Sequence, residues 1–265
     1  MSAVSAPIAL APAPRAWLDG VNPVTKVAMV IVLAVPLLVS LDAVSAGAAI
    51  LFELVCVPLT GVAAVTVLKR LVPVLVFAPV AALGMLLYAR PGGTVYATFL
   101  FATVSDDSIA LSLAVLLRVV ALALPLILLF ARTDPTELAD ALAQVAKLPS
   151  RFVLGVLAGT RTVGLFVDDW RTMALARRAR GLGDRGALRR FFGMAFVLLV
   201  FAVRRGTTLA TAMEARGFGA DVERTWARAS TVSWRDAVAL AGAAVLVAAA
   251  LGAAVLSGAF RVVGG

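Results

Sequence analysis

The sequence predicts an all-α integral membrane protein, with about five transmembrane helices and three further helices on the cytoplasmic side, two of them long and crossing. Three observations predict it. Hydrophobic residues make up 62% of the chain and charged residues 15%, whereas a soluble domain is about 45–50% apolar. The apolar stretches are continuous and rich in Ala and Leu. They reach or approach the roughly 17–25 residues a helix needs to cross a hydrocarbon core, and they lack the period-two alternation of a β-barrel. Finally, 17 of the 24 basic residues fall between Arg132 and Arg235, a segregation expected when one side of the membrane collects Lys and Arg.

Residues 1–20 form an Ala- and Pro-rich tail without a basic stretch ahead of an apolar core, so they read as a mobile cytoplasmic tail and not as a signal peptide. The spans expected next are Val24 to Leu41, Ala43 to Leu68, Leu71 to Tyr88 and Ile109 to Ala131, which make residues 21–131 a four-helix transmembrane region. A fifth span, Asp236 to Phe260, belongs to a C-terminal transmembrane segment, 236–265. The short loop holding Asp42 has no basic residue, the turn after the second span has Lys69 and Arg70, and the segment after the fourth is crowded with Arg. The N-terminus is therefore expected in the cytoplasm and the C-terminus outside. Arg90 and Arg261 run against this pattern, with Asp106 and Asp107 balancing the first.

Residues 132–235 are the cytoplasmic region. Phe191 to Val203 is apolar but, at about 13 residues, too short to span. Thr133, Asp134 and Pro135 cap a short helix ending near Pro149, Ser150 caps a second running to Gly181, and a third runs from near Ala187 to Gly217. The two long helices, about 30 residues each, would measure about 45 Å. Gly155 and Gly159 on one, and Ala202, Gly206 and Ala210 on the other, have the small-residue spacing that lets helices approach closely. An Ala-rich composition also yields such ladders without any contact.

Two charges fall deep in the spans. Glu53 lies about ten residues into the second and Arg118 about nine into the fourth, and at about 1.5 Å per residue they share a depth. They are expected to form a structural ion pair, because an isolated intramembrane ion costs at least a few kcal/mol.

The chain has no His, and its one Cys, Cys56, sits in an apolar run, which excludes disulfide frameworks and Cys/His metal sites. No catalytic set and no phosphate-cradling Gly-x-x-x-x-Gly-Lys motif is found, so neither catalytic nor metal-binding residues are expected. The net charge of +9 is assigned to topology and to acidic lipid headgroups, not to nucleic acid, since aromatic interleaving is lacking and Trp170 and Trp226 read as interfacial anchors.

Both long helices end in the same tripeptide: Ala179, Arg180, Gly181 and Ala215, Arg216, Gly217. Gly after the last turn permits the left-handed cap, and the preceding Arg complements the negative end of the helix dipole while leaving its guanidinium free. The pair reads as two docking tips, with Glu214 placed to orient Arg216; plain helix caps with solvated side chains are the alternative.

Twin Ala-Arg-Gly motifs closing paired cytoplasmic helices resemble the signature of the T component of energy-coupling-factor (ECF) transporters, the EcfT or CbiQ-type family. Asp19 to Lys26 resembles the stretch that precedes the first span in that family. Asp134 to Leu138, Leu148 with Pro149, and Arg224 with Thr225 extend the likeness. The resemblance implies a non-catalytic subunit whose residues 132–235 are coupling helices, with Arg180 in a groove of one ABC-type ATPase subunit and Arg216 in that of another. It further implies one S component, a substrate-binding membrane protein that takes up a vitamin or a transition-metal ion. ATP and magnesium would be bound by the ATPases and no cofactor by this chain. A conventional importer permease, forming the substrate path itself, is the competing class.

Overall fold

The structure is a computed structural model and describes residues 16–89, 92–99, 102–181, 186–218, 225–258 and 260. The chain divides into two compact units. One runs to Asp134 and resumes at Thr231; the other is Pro135–Ser230.

The first unit opens with a 3₁₀ turn, Trp17–Gly20, followed by α1 (Pro23–Val39), α2 (Ala43–Thr60), α3 (Ala64–Tyr88), the hairpin β1 (Val95–Phe99) and β2 (Ala102–Ser105), and α4 (Asp106–Phe130). Its last helix, α8, is Trp234–Leu256. Helix starts follow local chemistry. Asn22 accepts from the Val24 N–H with Pro23 at the first helical position, Asp42 accepts from the Ser45 N–H, and Ser105 with Ser108 and Ser233 with Asp236 form capping boxes. Prolines 36, 58, 73, 79 and 125 lie inside helices, which packed transmembrane helices tolerate.

The membrane core centres on α4, which packs Ala121 and Leu129 toward α1, α2 and α8, and Val120, Leu124 and Leu128 toward Val67 of α3. Along α8 the buried residues are Asp236, Ala239, Ala243, Val247, Ala250 and Ala254, a small-residue stripe at helical spacing that meets Ala46 and Ala49 of α2. In contrast, α3 buries little beyond Val67, Ala78 and Ala82 and leaves Val76, Phe77, Val80 and Leu83 exposed.

The second span ends earlier than the sequence suggests. Gly61 adopts φ 63° and closes α2 at Thr60, and α3 starts at Ala64, so Lys69 and Arg70 stand inside α3 and not in a turn. The continuous apolar run hid a break that one left-handed Gly supplies. The antiparallel hairpin of β1 and β2 was not foreseen either, and Arg90, Arg224 and Arg261 lie outside the described residues.

The second unit holds α5 (Pro135–Gln144), α6 (Ser150–Ala179) and α7 (Ala187–Ala215). Pro149 is the N-cap of α6 and Ser150 its first residue, with no side-chain cap. Gln144 ties the unit's ends together, donating to the Arg228 carbonyl at 2.8 Å and accepting from the Ser230 N–H at 2.9 Å. Helices α6 and α7 meet through large side chains. Trp170 packs edge-to-face on Phe191 at 5.5 Å, Met194 is buried, and Arg205 pairs with Asp169 at 3.2 Å. Trp170 thus takes part in this seam. The expected ladder is not the seam either. Added Cβ atoms at Gly155, Gly159 and Gly206 would meet nothing within 4 Å, Ala210 is exposed and Ala202 half-buried. Spacing places small residues on one stripe but does not say which stripe is covered, and here the aromatic one is.

By length and composition α2, α3, α4, α6 and α8 can each cross a membrane, α6 being the least apolar of the five. Helix α1, with 17 residues, is at the short end of the spanning range.

Candidate functional site

The two tripeptides build the same local structure twice. At the end of α6, Arg180 has φ −88° and ψ 8°, Gly181 has φ 71°, and the Gly181 N–H donates to the Arg178 carbonyl at 2.9 Å. At the end of α7, Arg216 has φ −90° and ψ 9°, Gly217 has φ 73°, and its N–H donates to the Glu214 carbonyl at 2.9 Å. There the Phe218 N–H also reaches the Met213 carbonyl at 2.9 Å, completing a Schellman cap. An added Cβ would have open space at both glycines, so the demand for Gly comes from the backbone angle and not from crowding. Both arginines are exposed, and among the described residues neither is ion-paired. Glu214 does not pair with Arg216; what it contributes is its carbonyl to the cap.

A second cluster joins helix ends of the first unit. The Asn22 N–H donates to Asp236 Oδ1 at 2.7 Å and the Asn22 side chain to the Thr231 carbonyl at 3.2 Å. Asp236 Oδ2 accepts from the Ser233 N–H at 2.6 Å. Lys26 Nζ donates to Thr133 Oγ1 at 3.3 Å, while Arg132 pairs with Asp19 at 3.0 Å and donates to the Gly61 carbonyl at 3.0 Å. The stretch Asp19 to Lys26 is therefore a clasp on the ends of α2, α4 and α8. The stretch is legible in the sequence, but its partners Arg132 and Asp236 are not. The Ser233-x-x-Asp236 capping pattern was the available signal.

Glu53 and Arg118, expected to pair, do not. Arg118 donates to Ser40 Oγ at 3.2 Å, and its Nε is buried without a hydrogen-bond partner. Glu53 is buried with both carboxyl oxygens unpartnered. Side chains tilt toward the N-terminus of their helix, so a long Arg on α4 reaches Ser40 in the turn that precedes α2, while the shorter Glu53 stays buried in the middle of α2. Equal depth did not imply equal azimuth.

The family described as cobalt transport protein, CbiQ, matches residues 14–226, which takes in both tripeptides and the clasp's N-terminal stretch. Among curated proteins, the energy-coupling factor transporter transmembrane protein EcfT of Limosilactobacillus fermentum is 31% identical over 164 residues, 57% of this chain and 61% of that protein, less than two thirds of its length. EcfT of Brevibacillus brevis is 26% identical over 245 residues, 88% of this chain and 92% of that protein. EcfT of Staphylococcus aureus is 25% identical over 185 residues, 65% of this chain and 69% of that protein. With its apolar helices and a family match across most of its length, this multi-pass membrane protein belongs to the CbiQ family, the transmembrane T components of ECF transporters.

Proposed function

We propose that this chain couples two ABC-type ATPase subunits to a substrate-binding S component for uptake of a vitamin or a transition-metal ion, in a bacterial cytoplasmic membrane with its N-terminus inside. The observation that carries the reading is the duplicated cap: two helices of 30 and 29 residues, each tipped by an exposed Arg in the same backbone frame. A guanidinium held in a groove by carboxylates or carbonyls gives both affinity and a point through which force passes. ATP-driven approach of the ATPases would carry Arg180 and Arg216 with them and change how α6 and α7 pack, and packed helices pass displacement on with little loss. The exposed apolar face of α3, with Phe77 and Val80, supports contact with an apolar membrane partner. Substrate choice would lie with the S component, and ATP and magnesium with the ATPases.

The test is co-purification with the ATPase subunits together with ATP-driven uptake in vesicles. Arg180→Glu and Arg216→Glu should each weaken ATPase retention by at least about 30-fold, the equivalent of about 2 kcal/mol, and the double variant should abolish retention and uptake. Full retention and uptake in the double variant would reduce both motifs to plain caps.

A further inference from the structure

Helix α7 keeps a face that neither its cap nor its seam with α6 uses. At about 100° per residue, Leu188, Phe192, Phe196, Leu199 and Val203 fall within an arc of about 80°. These side chains are between 59% and 75% exposed. The arc points away from the seam, because Met194, which is buried, and Arg205, which holds Asp169, lie roughly opposite it. At about 1.5 Å per residue the stripe runs about 22 Å along the helix. So long a row of large apolar side chains in the open marks an interaction surface.

The charges beside the stripe say what it fits. From Ala187 to Met213 the helix has four arginines and no acidic residue. Arg205 is taken by Asp169. Arg189 and Arg204 are exposed, flank the stripe on one shoulder near its two ends, and are in no ion pair among the described residues. An apolar protein partner would be served by the stripe alone, whereas unopposed arginines alongside it match a surface with hydrocarbon below and anions above. Although α7 has 29 residues, it is not one of the five helices apolar enough to cross a membrane. Phe and Leu on one face with Arg on its flank is the pattern of a helix that lies in the plane of a bilayer interface. Arg stems run along apolar surface while their guanidiniums reach phosphate.

We infer that α7 lies along an anionic leaflet, with Phe192, Phe196 and Leu199 at the boundary of acyl chains and headgroups and Arg189 and Arg204 on lipid phosphates. This anchor is separate from the docking of Arg180 and Arg216 and does not depend on it.

The experiment uses the full chain in a Cys56→Ala background. A single cysteine is introduced by Phe196→Cys or, on the far side of the helix, by Thr208→Cys, and labelled with the fluorophore NBD. Nanodiscs of dioleoylphosphatidylglycerol or dioleoylphosphatidylcholine include lipid bearing a doxyl quencher either high on its acyl chain or near the chain end. In phosphatidylglycerol the label at position 196 should be quenched more by the high doxyl than by the deep one, as burial by about 5–10 Å requires. It should also be shielded from aqueous iodide, while the label at position 208 should meet iodide. Each arginine near anionic lipid is worth about fivefold, so the ratio of docked to free α7 should fall about 25-fold in phosphatidylcholine or in the Arg189→Gln, Arg204→Gln double variant. Iodide reaching position 196 as freely as position 208 would overturn the assignment. So would shielding from iodide without quenching by either doxyl, which would mean that protein covers the stripe. Stronger quenching by the deep doxyl, meaning insertion, or quenching indifferent to both lipid charge and the two arginines, would overturn it equally.

Discussion

Asp236 shows how much one buried carboxylate can organise. It is 3% exposed, and its two oxygens accept from the Asn22 N–H, the Ser233 N–H and the Ser233 hydroxyl. Removing it strands buried donors, each at about 1–3 kcal/mol, so Asp236→Ala should lower the melting temperature of the purified protein by several degrees. Asn22→Ala keeps the backbone N–H on Asp236 and loses the side-chain bonds to the Thr231 carbonyl and from the Val24 N–H, so it should cost less, about 1 kcal/mol as the loss of a helix cap, and lower the melting temperature by a smaller amount. The sequence displays each half of this contact, Asn22 before Pro23 as a helix start and Asp236 at the head of the last apolar run. Their meeting across 214 positions has no local signature. Glu53 and Arg118 teach the complementary lesson: counting residues gave depth, but partner choice depended on side-chain length and on the N-terminal tilt of Cβ.

At the scale of elements, punctuation was legible and packing was not. Both arginine-tipped helices end within two residues of the glycines that announce them, because a positive φ is a local demand that Gly answers. The break at Gly61 obeyed the same rule and was masked by the apolar run around it. Ladders of small residues proved ambiguous. The stripe on α8 through Ala239, Ala243, Ala250 and Ala254 is buried, while the equally regular one through Gly155 and Gly159 of α6 is open. Ala250→Leu should therefore destabilise by about 1–3 kcal/mol through overpacking, whereas Gly159→Leu should be neutral or slightly stabilising, since Leu is the better helix former. Thermal unfolding of the two variants in the same detergent compares them directly, and a reversal would show that α6 uses its ladder.

For the whole molecule the open quantity is sidedness. In a Cys56→Ala background, a cysteine at Ala97 in the hairpin should react with a membrane-impermeant maleimide in intact cells. Cysteines at Arg151 and Leu175, toward the two ends of α6, should react only after permeabilisation. Reaction of one α6 site from outside would show that α6 spans, as its length and composition permit. The sum of basic residues was readable because charge bias is additive along a chain; where α6 lies is harder, because a helix can be apolar enough to cross and still be held elsewhere by its neighbours. The duplicated caps carry one more consequence. Their backbone frames coincide within a few degrees, but two residues before each arginine the chain carries Arg178 in one and Glu214 in the other. A reader that touches the arginine alone would find the two tips interchangeable, while one that also touches the preceding turn would meet opposite charges. If the tips dock on ATPases as proposed, the same shape written twice with inverted flanking charge would let two related but unlike partners sort themselves onto the correct tip.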